Sequence, residues 1–333
     1  MVGRLRDRPV LASLLATLLA AVAVLVIAKL TGADAIGRAF SHVHLPWIGL
    51  AAGAELLTYP AYMLAYRSIA QVHGHAPLEL PVVARLVVAG FGPFALAGGF
   101  GIDKQALHAI DEDERSARVR VMALGTLEWA VLAPIACVTS IVLIIQGANI
   151  MPSLLWPWAL GVPAGFGFAL WASASRRSDR LRRMWGGRLD LVAQTLEGVG
   201  VMRTLVRSPR RYAGAWIGTG LYWVADMAAF YGGLRTFGLH PDLGKVIIAY
   251  GTGYAATRRS LPLGGAAMTE FLMTYALYWV RQPLAPALAA VLVYRLFNFL
   301  LVAAPAVIAH RQLGPMLVPS GRLRRTHGAP RDQ

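Results

Sequence analysis

The sequence predicts an all-α, polytopic membrane protein with about seven or eight transmembrane helices. Apolar residues make up 56% of the 333 positions, charged residues only 15%, and the mean hydropathy is +0.53. Soluble domains carry about a quarter charged residues, so this chain has too few to cover a water-exposed surface. The apolar residues also form uncharged runs, such as residues 131–174, and roughly 20 apolar residues span the hydrocarbon core of a bilayer.

Six segments are long and apolar enough for a complete crossing, at residues 10–30, 46–66, 119–146, 153–174, 212–234 and 284–310. The first of them is too long for the apolar core of a signal peptide and is predicted to be a retained span. Three further segments, at 81–101, 243–261 and 264–280, are shorter or interrupted by Gly and Pro. We therefore predict a transmembrane domain over residues 1–312 and a basic, disordered tail over 313–333.

The net charge of +15 is concentrated beside the predicted spans. Ten arginines lie between Arg176 and Arg211, and three precede the first span. Basic loops of this kind lie on the cytoplasmic side of membranes, and they attract anionic lipid headgroups by about 1 kcal/mol per residue. The charge therefore predicts a bacterial inner-membrane protein with a cytoplasmic N-terminus, and it gives no support to nucleic-acid binding.

The arginines also constrain the path of the interrupted segments. A full crossing by residues 81–101 would place the ten-arginine block outside, whereas a re-entrant path keeps it inside and is favoured. Irregular backbone at membrane depth requires shelter by protein or by a watery cavity, so a sheltered site is expected there. For residues 243–261 a crossing places the basic C-terminal tail inside, but the Gly-rich composition favours re-entry, and both paths stay open.

Two of the interrupted segments resemble each other. Residues 86–107 and 246–272 can be aligned on their Gly-Gly pairs, so that Gly98 and Gly99 correspond to Gly264 and Gly265. In this alignment Lys104 falls opposite Glu270. Broken segments in corresponding positions of two halves indicate an inverted repeat with the binding site of a transporter between them. Chance similarity is the alternative, because glycine is common in membrane helices.

Ionisable residues within or beside the spans are the candidate functional residues, because each costs several kcal/mol in lipid unless it is paired or hydrated. They are Glu55, Asp103, Lys104, Glu128, Asp226, Arg258, Arg259, Glu270 and Arg295. One interpretation is structural ion pairing within the bundle. The other is a polar path for a charged headgroup.

The arginines among these candidates suggest phosphate recognition. Arg258 and Arg259 lie in a Gly-rich segment, where guanidinium groups and free backbone N–H groups together suit phosphate oxygens. The alternative is that both side chains reach out to the cytoplasmic interface. Arg295 and Asn298 are three residues apart on the last span, so they share a face that must point inward.

Motifs of common enzymes and cofactor sites are absent from the sequence. There is no H-E-x-x-H, G-x-S-x-G or phosphate-binding loop, and the glycines of residues 90–101 do not follow a strand. Cys137 is the only cysteine, which excludes an intrachain disulfide or a thiolate metal site. We predict no catalytic activity, no cofactor and no metal.

The stretch Ser260-LPLGGAAMTEFLMTYAL resembles the LPGGLGxxE signature of the lysylphosphatidylglycerol synthase transmembrane-region family, a flippase-like membrane domain. Ala287-LAAVLVYRLFNFLL is similar to the final helix of that family, and Gly98-GFGIDKQAL to its first Gly-Gly-Asp element. The chain departs from the pattern at Leu263, which separates Pro262 from Gly264, and at Lys104 and Gln105, where Asp and Arg are typical. The resemblance covers roughly residues 10–312.

The resemblance implies lipid translocation rather than lipid synthesis, because the aminoacyl-transferase domain of bifunctional members is not found in these residues. The leading hypothesis is a translocase that moves a phospholipid or a lipid-linked headgroup. Arg258, Arg259 and Arg295 would meet the phosphate, whereas Glu270, Glu128 and Asp226 would balance charge or meet a cationic headgroup. The alternatives are a non-transporting partner of a lipid-modifying or glycosyl-transferring enzyme, and a polytopic glycosyltransferase, which the short outward loops disfavour.

Overall fold

The computed structural model describes residues 25–30, 32–41, 43–72, 78–91, 114–173, 190–255, 267–300 and 302–317, together with positions 18, 21 and 22. In these ranges all regular structure is helical, and no strand occurs. The elements are α1 (Ala33–Ser41), α2 (Leu45–Ala70), α3 (Leu80–Phe91), α4 (Glu114–Ile145), α5 (Pro152–Trp156), a π-helical turn (Pro157–Gly161), α6 (Val162–Ala172), α7 (Asp190–Arg207), α8 (Ala213–Thr236), α9 (Leu243–Tyr254), α10 (Met268–Trp279), α11 (Leu284–Arg295), a second π-helical turn (Leu296–Leu300) and α12 (Ala303–Leu317).

Two of the described helical stretches are both long and apolar enough to cross a membrane: Val119–Ile145 within α4, and Pro152–Ala172. Shorter apolar helices cover Leu80–Phe91 and Leu284–Asn298. The 26 residues of α2 and the 24 of α8 are long enough as well, at about 1.5 Å per residue, but Gly, aromatic and polar residues lower their hydropathy. The all-α fold is thus as predicted, while the number of seven or eight spans stays a prediction.

Helices α2 and α8 pack antiparallel along most of their length. A Cβ placed on Gly218 would lie 2.5 Å from the amide nitrogen of Ala65, and one on Gly232 would lie 2.9 Å from that of Ala51. The start of α8 therefore lies against the end of α2, and the end of α8 against its start. Backbones approach this closely in membranes where small residues line the contact, because van der Waals packing then drives the association.

This close contact gives a matched pair of predictions about stability. We expect Gly218→Ala to lower the free energy of unfolding by about 1–3 kcal/mol, because the added methyl meets backbone atoms that cannot turn aside. Gly220→Ala, two residues away on α8, adds a methyl in open space and should be neutral or slightly stabilising. Thermal unfolding of both variants in detergent checks this, and equal midpoints would contradict the packing described here.

The half-helices α3 and α9 occupy corresponding places after these two long helices. Each has twelve residues, α3 following α2 and α9 following α8. Each ends where one of the Gly-rich segments begins, at residues 92–113 and 256–266, which lie outside the described residues. The inverted repeat itself stays a prediction.

Two predicted spans are interrupted in the structure. The segment Pro152–Ala172 contains a π-helical turn just before Pro163, which has no N–H to donate to the carbonyl oxygen of Ala159. The thiol of Cys137 donates to that oxygen instead, at 3.8 Å. The predicted last span, 284–310, is likewise two helices, α11 and α12, separated by the second π-helical turn. Such turns recur at functional sites.

Helices α1 and α7 were missed by the sequence analysis, which assigned residues 31–45 to a short outward loop and 176–211 to a basic loop. Helix α7 packs against α4, and its Val199, Met202 and Leu205 are buried. These three residues recur at three-residue intervals, which is the spacing of an apolar face on a helix. The arginines around them obscured this signal.

Candidate functional site

Five of the predicted ionisable residues lie in the described ranges, and each of the five is buried. The exposed fraction is 3% for Glu55, 2% for Glu128, 0% for Asp226, 3% for Glu270 and 7% for Arg295. Each side chain must find polar partners in the bundle, because desolvating an isolated charge costs several kcal/mol. The structure groups these residues around three carboxylate environments.

The first environment surrounds Glu128 on α4. The Tyr62 hydroxyl of α2 donates to Oε1 at 2.6 Å, and the Tyr254 hydroxyl of α9 donates to Oε2 at 3.3 Å. The Trp223 indole of α8 donates to the Glu128 backbone oxygen at 3.1 Å. Four helices therefore meet at this one residue, so a change in the hydrogen bonding of Glu128 would affect the contacts among all four.

The second environment surrounds Asp226 on α8. Tyr250 of α9 donates to Oδ2 at 2.5 Å, and Tyr294 of α11 donates to Oδ1 at 2.9 Å. The amide nitrogen of Asn298 lies 3.4 Å from Asp226 Oδ1 and 3.1 Å from Oε1 of Glu55 on α2. Asn298 therefore links two carboxylates from different helices. Its burial beside Arg295 confirms the predicted inward face of this segment.

The third environment is an ion pair. Arg295 Nε lies 2.6 Å from Oε1 of Glu270, and both side chains are buried. Glu270 sits in the first turn of α10, where the partial positive charge of the helix N-terminus also favours a carboxylate. The other oxygen of Glu270, Oε2, is buried and has no hydrogen-bond partner among the described residues.

An aromatic cluster of Tyr222, Trp223, Tyr250, Tyr254 and Tyr294 lies between the first two environments. The rings of Trp223 and Tyr254 meet edge to face at 4.6 Å, and those of Tyr250 and Tyr254 stack at 5.9 Å. The apolar ring faces pack together while the hydroxyl groups reach the carboxylates. The cluster therefore holds polar groups at membrane depth within an apolar interior.

A cavity of about 910 Å³ opens beside Glu128. Apolar side chains of α4, the first π-helical turn, α6, α7 and α8 form most of its wall, including the rings of Trp158, Phe166 and Trp216. Trp158 is fixed by its indole N–H, which donates to Thr252 on α9 at 3.1 Å. The volume is that of a small-molecule site, and among the described residues of its lining Glu128 carries a carboxyl group.

A second, smaller cavity of about 310 Å³ reaches Glu55 from another side of the bundle. Leu56, Val88, Phe297 and Pro305 contribute to its wall. The buried polar side chains thus run from one apolar cavity to another, beginning at Glu128 and ending at Glu55.

Eight of the predicted site residues lie outside the described residues: Gly98, Gly99, Asp103, Lys104, Arg258, Arg259, Gly264 and Gly265. The structure shows what flanks them. Residues 256–266 follow α9 directly after Tyr254, which contacts Glu128, and they lead into α10 with Glu270. The roles of Arg258 and Arg259 in phosphate binding stay predictions.

The tyrosines were missed as site residues. Tyr62 and Tyr254 each donate a hydrogen bond to Glu128, and Tyr250 and Tyr294 each donate one to Asp226. The sequence did contain a signal for them, because a tyrosine hydroxyl in an apolar span needs a hydrogen-bond acceptor. Tyr250 and Tyr254 are also four residues apart, so they share one face of α9. No group of three or more His, Cys, Asp or Glu residues in the described ranges could hold a metal ion.

Comparison with known proteins assigns this architecture to a family. Residues 12–306 match the model of the lysylphosphatidylglycerol synthase TM region. The chain belongs to this family. The predicted resemblance to this family is thereby confirmed, and the lysylphosphatidylglycerol synthase TM region is a membrane domain linked to lipid modification or transport. No curated protein matches the chain.

Proposed function

We propose that the protein is a lipid translocase of the bacterial cytoplasmic membrane, with its N-terminus in the cytoplasm and no catalytic activity of its own. It moves a phospholipid or a lipid-linked headgroup between leaflets. The observation that carries this proposal is the apolar cavity of about 910 Å³ with the buried carboxylate of Glu128 in its wall.

The chemistry of the cavity suits a lipid whose apolar chain and polar headgroup bind to different parts of the wall. The apolar wall accepts an acyl or prenyl chain, since it offers little to a polar group. The carboxylate of Glu128 accepts hydrogen bonds, so it favours a hydroxyl or ammonium group and repels a phosphate. Tyr62 and Tyr254 already donate hydrogen bonds to Glu128, and such a group would displace these hydrogen bonds.

The remaining polar side chains extend this site into a path. The aromatic cluster, Asp226, Asn298 and Glu55 provide hydrogen-bonding groups through the bundle. Each reduces the cost of bringing a headgroup to membrane depth, where lipid offers no such partner. Arg258, Arg259 and Arg295 are the proposed phosphate ligands along this path. No ATP-binding motif occurs in the sequence, so an ion gradient or the lipid gradient drives the movement.

Labelled-lipid translocation in proteoliposomes tests the proposal, with a panel of anionic, zwitterionic and aminoacylated lipids. We expect Glu128→Gln to slow translocation about tenfold to a hundredfold, because a hydrogen bond to a charged group contributes about 1.5–3 kcal/mol. The matched control is Asp242→Asn at the start of α9. Asp242 is exposed, and a hydrogen bond and the charge of Lys245 hold its pKa below the ordinary value.

The control should translocate at the wild-type rate, since exposed ion pairs contribute little. Unchanged lipid distribution across the whole panel, with wild-type protein shown to be folded, would contradict the translocase. That result would favour the non-transporting partner of a lipid-modifying enzyme.

A further inference from the structure

Arg235 lies near the end of α8, in the corner between two aromatic rings. Its Cζ atom is 4.7 Å from the centre of the Trp47 ring on α2 and 5.9 Å from that of Tyr231, one turn earlier on α8. The two rings are 6.2 Å apart and nearly perpendicular. The Nε atom of Arg235 is enclosed and has no acceptor. In the part of the chain that the structure describes, no carboxylate pairs with this guanidinium.

A guanidinium in this position gains more from an anion than a fully hydrated one does. Partial burial takes hydration away from the charge, and the lower local dielectric strengthens its attraction to an opposite charge. The two rings attract the cation and hold its planar fork of donors, so little side-chain freedom is lost when an anion binds. That fork matches the oxygens of a phosphate group.

The position of Arg235 along α8 corresponds to a membrane interface. Helix α8 begins two residues after Arg211, and at about 1.5 Å per residue Arg235 lies roughly 33 Å from its start. Aromatic rings gather at this end, where Phe40 of α1 and Phe237 meet edge to face at 5.1 Å. Such rings are typical of the membrane–water interface, which is where the phosphates of lipids lie. The site is therefore at the end of α8 opposite to its basic start.

An exposed apolar stripe on α8 leads away from Arg235. It consists of four residues at intervals of three or four: Leu221, Val224, Ala228 and Tyr231. With this spacing they share one face of the helix with Arg235. Leu221 is 53% exposed and Val224 is 65% exposed. The distance along the helix from Val224 to Arg235 is about 16 Å, which is roughly half of the 30 Å hydrocarbon core.

We propose that this end of α8 binds a phospholipid, with its phosphate at the Arg235 guanidinium and an acyl chain along the stripe from Tyr231 to Leu221. The unpaired cation complements the phosphate, and the exposed stripe favours a lipid over a soluble anion. The site is separate from the cavity beside Glu128, whose lining does not include Arg235 or Trp47. Binding here does not rest on the proposed translocation.

Photo-crosslinking of the full-length protein in nanodiscs tests the site. The probe is phosphatidic acid with a photoreactive group on one acyl chain, and mass spectrometry locates its attachment. Diacylglycerol with the same chain lacks only the phosphate. In wild-type protein, half-maximal labelling of residues 221–235 should need about tenfold less phosphatidic acid than diacylglycerol, as expected for a hydrogen bond to a charged group. Equal labelling by both lipids, or none by either, overturns the proposal whatever the variants do.

Substitutions at the site test the contacts. Arg235→Met keeps the length of the side chain and removes its charge, so it should raise the half-maximal concentration of phosphatidic acid about tenfold. Trp47→Leu removes one ring and should raise it about twofold to fivefold. Arg38→Met is the matched control, because it removes an exposed arginine of α1 and should leave labelling unchanged. Equal losses in Arg235→Met and Arg38→Met would show unspecific charge attraction and overturn the site.

Glycerol 3-phosphate separates a lipid site from a site for soluble phosphate. It carries the phosphate without the acyl chains, so at the concentration of the lipid probe it should leave the labelling of residues 221–235 unchanged. Loss of labelling under that condition would overturn the assignment to a lipid. Labelling as expected, with no translocation in any proteoliposome, would support the site and contradict the proposed function alone.

Discussion

Replacing Arg295 by Met is expected to lower the free energy of unfolding by about 3–5 kcal/mol. The substitution removes the cation from a buried pair whose charged atoms are 2.6 Å apart and leaves the Glu270 carboxylate uncompensated. Methionine has a similar length and no polar atom that must be buried, so the cost comes from the charge rather than from a cavity. Thermal unfolding in a mild detergent, with a folded fraction measured by tryptophan fluorescence, gives the change.

A double variant separates the ion pair from general disruption. Arg295→Met with Glu270→Gln removes both charges, and it should be more stable than Arg295→Met alone, because no uncompensated charge remains. Glu270→Gln by itself leaves Arg295 buried without its carboxylate and should also be costly. If the double variant were less stable than wild type by the sum of the two single effects, the two residues would not act as a pair.

The pair also bears on the predicted role of Arg295. Its Nε edge faces Glu270, so the proposed phosphate ligand is already held by a carboxylate in this structure. A lipid phosphate that reached Arg295 would compete with Glu270 for the same guanidinium. The ion pair is what the structure shows, whereas the role in phosphate binding stays a prediction, and Glu270→Gln separates the two by weakening the ion pair.

The long helices were predicted from the sequence because their signal is local. A run of apolar residues implies a span wherever it lies, and α2, α4 and α8 contain most of the predicted segments 46–66, 119–146 and 212–234. The burial of Glu55, Glu128, Asp226, Glu270 and Arg295 followed from the same logic, since a charge inside an apolar run must face protein.

The partners of these residues were not predictable, because they depend on how distant helices pack. Tyr254 reaches Glu128 across 126 residues of sequence, and Asn298 reaches Glu55 across 243. No spacing rule connects such positions. The π-helical turn before Pro163 was missed for a related reason, since its free carbonyl is satisfied by Cys137 from another helix. The predicted alignment of Lys104 with Glu270 stays a prediction.

Filling the larger cavity is expected to slow lipid translocation while leaving the fold intact. Gly165 on α6 lines this cavity, and a Cβ placed on it would meet no atom within 4 Å. Gly165→Trp therefore puts an indole ring into the space proposed for the lipid chain. Forcing a chain and a ring into one volume costs about 1–3 kcal/mol, as overpacking of a core does, which corresponds to a fall in rate of about fivefold to a hundredfold.

Gly167 provides the matched control, two residues further along the same helix. It is also exposed and free of close contacts, but it does not line the cavity. Gly167→Trp adds the same ring to the exposed surface of α6 outside the cavity, so it should translocate lipid at the wild-type rate. Both variants should unfold at the wild-type temperature within a few degrees, because neither ring meets the backbone.

The comparison of Gly165→Trp with Gly167→Trp tests the role of the cavity separately from that of the polar residues, since neither substitution replaces a polar residue. Slower translocation in Gly165→Trp alone would place the moving lipid next to Glu128. Equal rates in both variants would contradict a role for the cavity, and the lipid would then have to pass the polar side chains from the cavity at Glu55. In that case Val88→Trp, on α3 in the wall of that smaller cavity, should slow translocation instead.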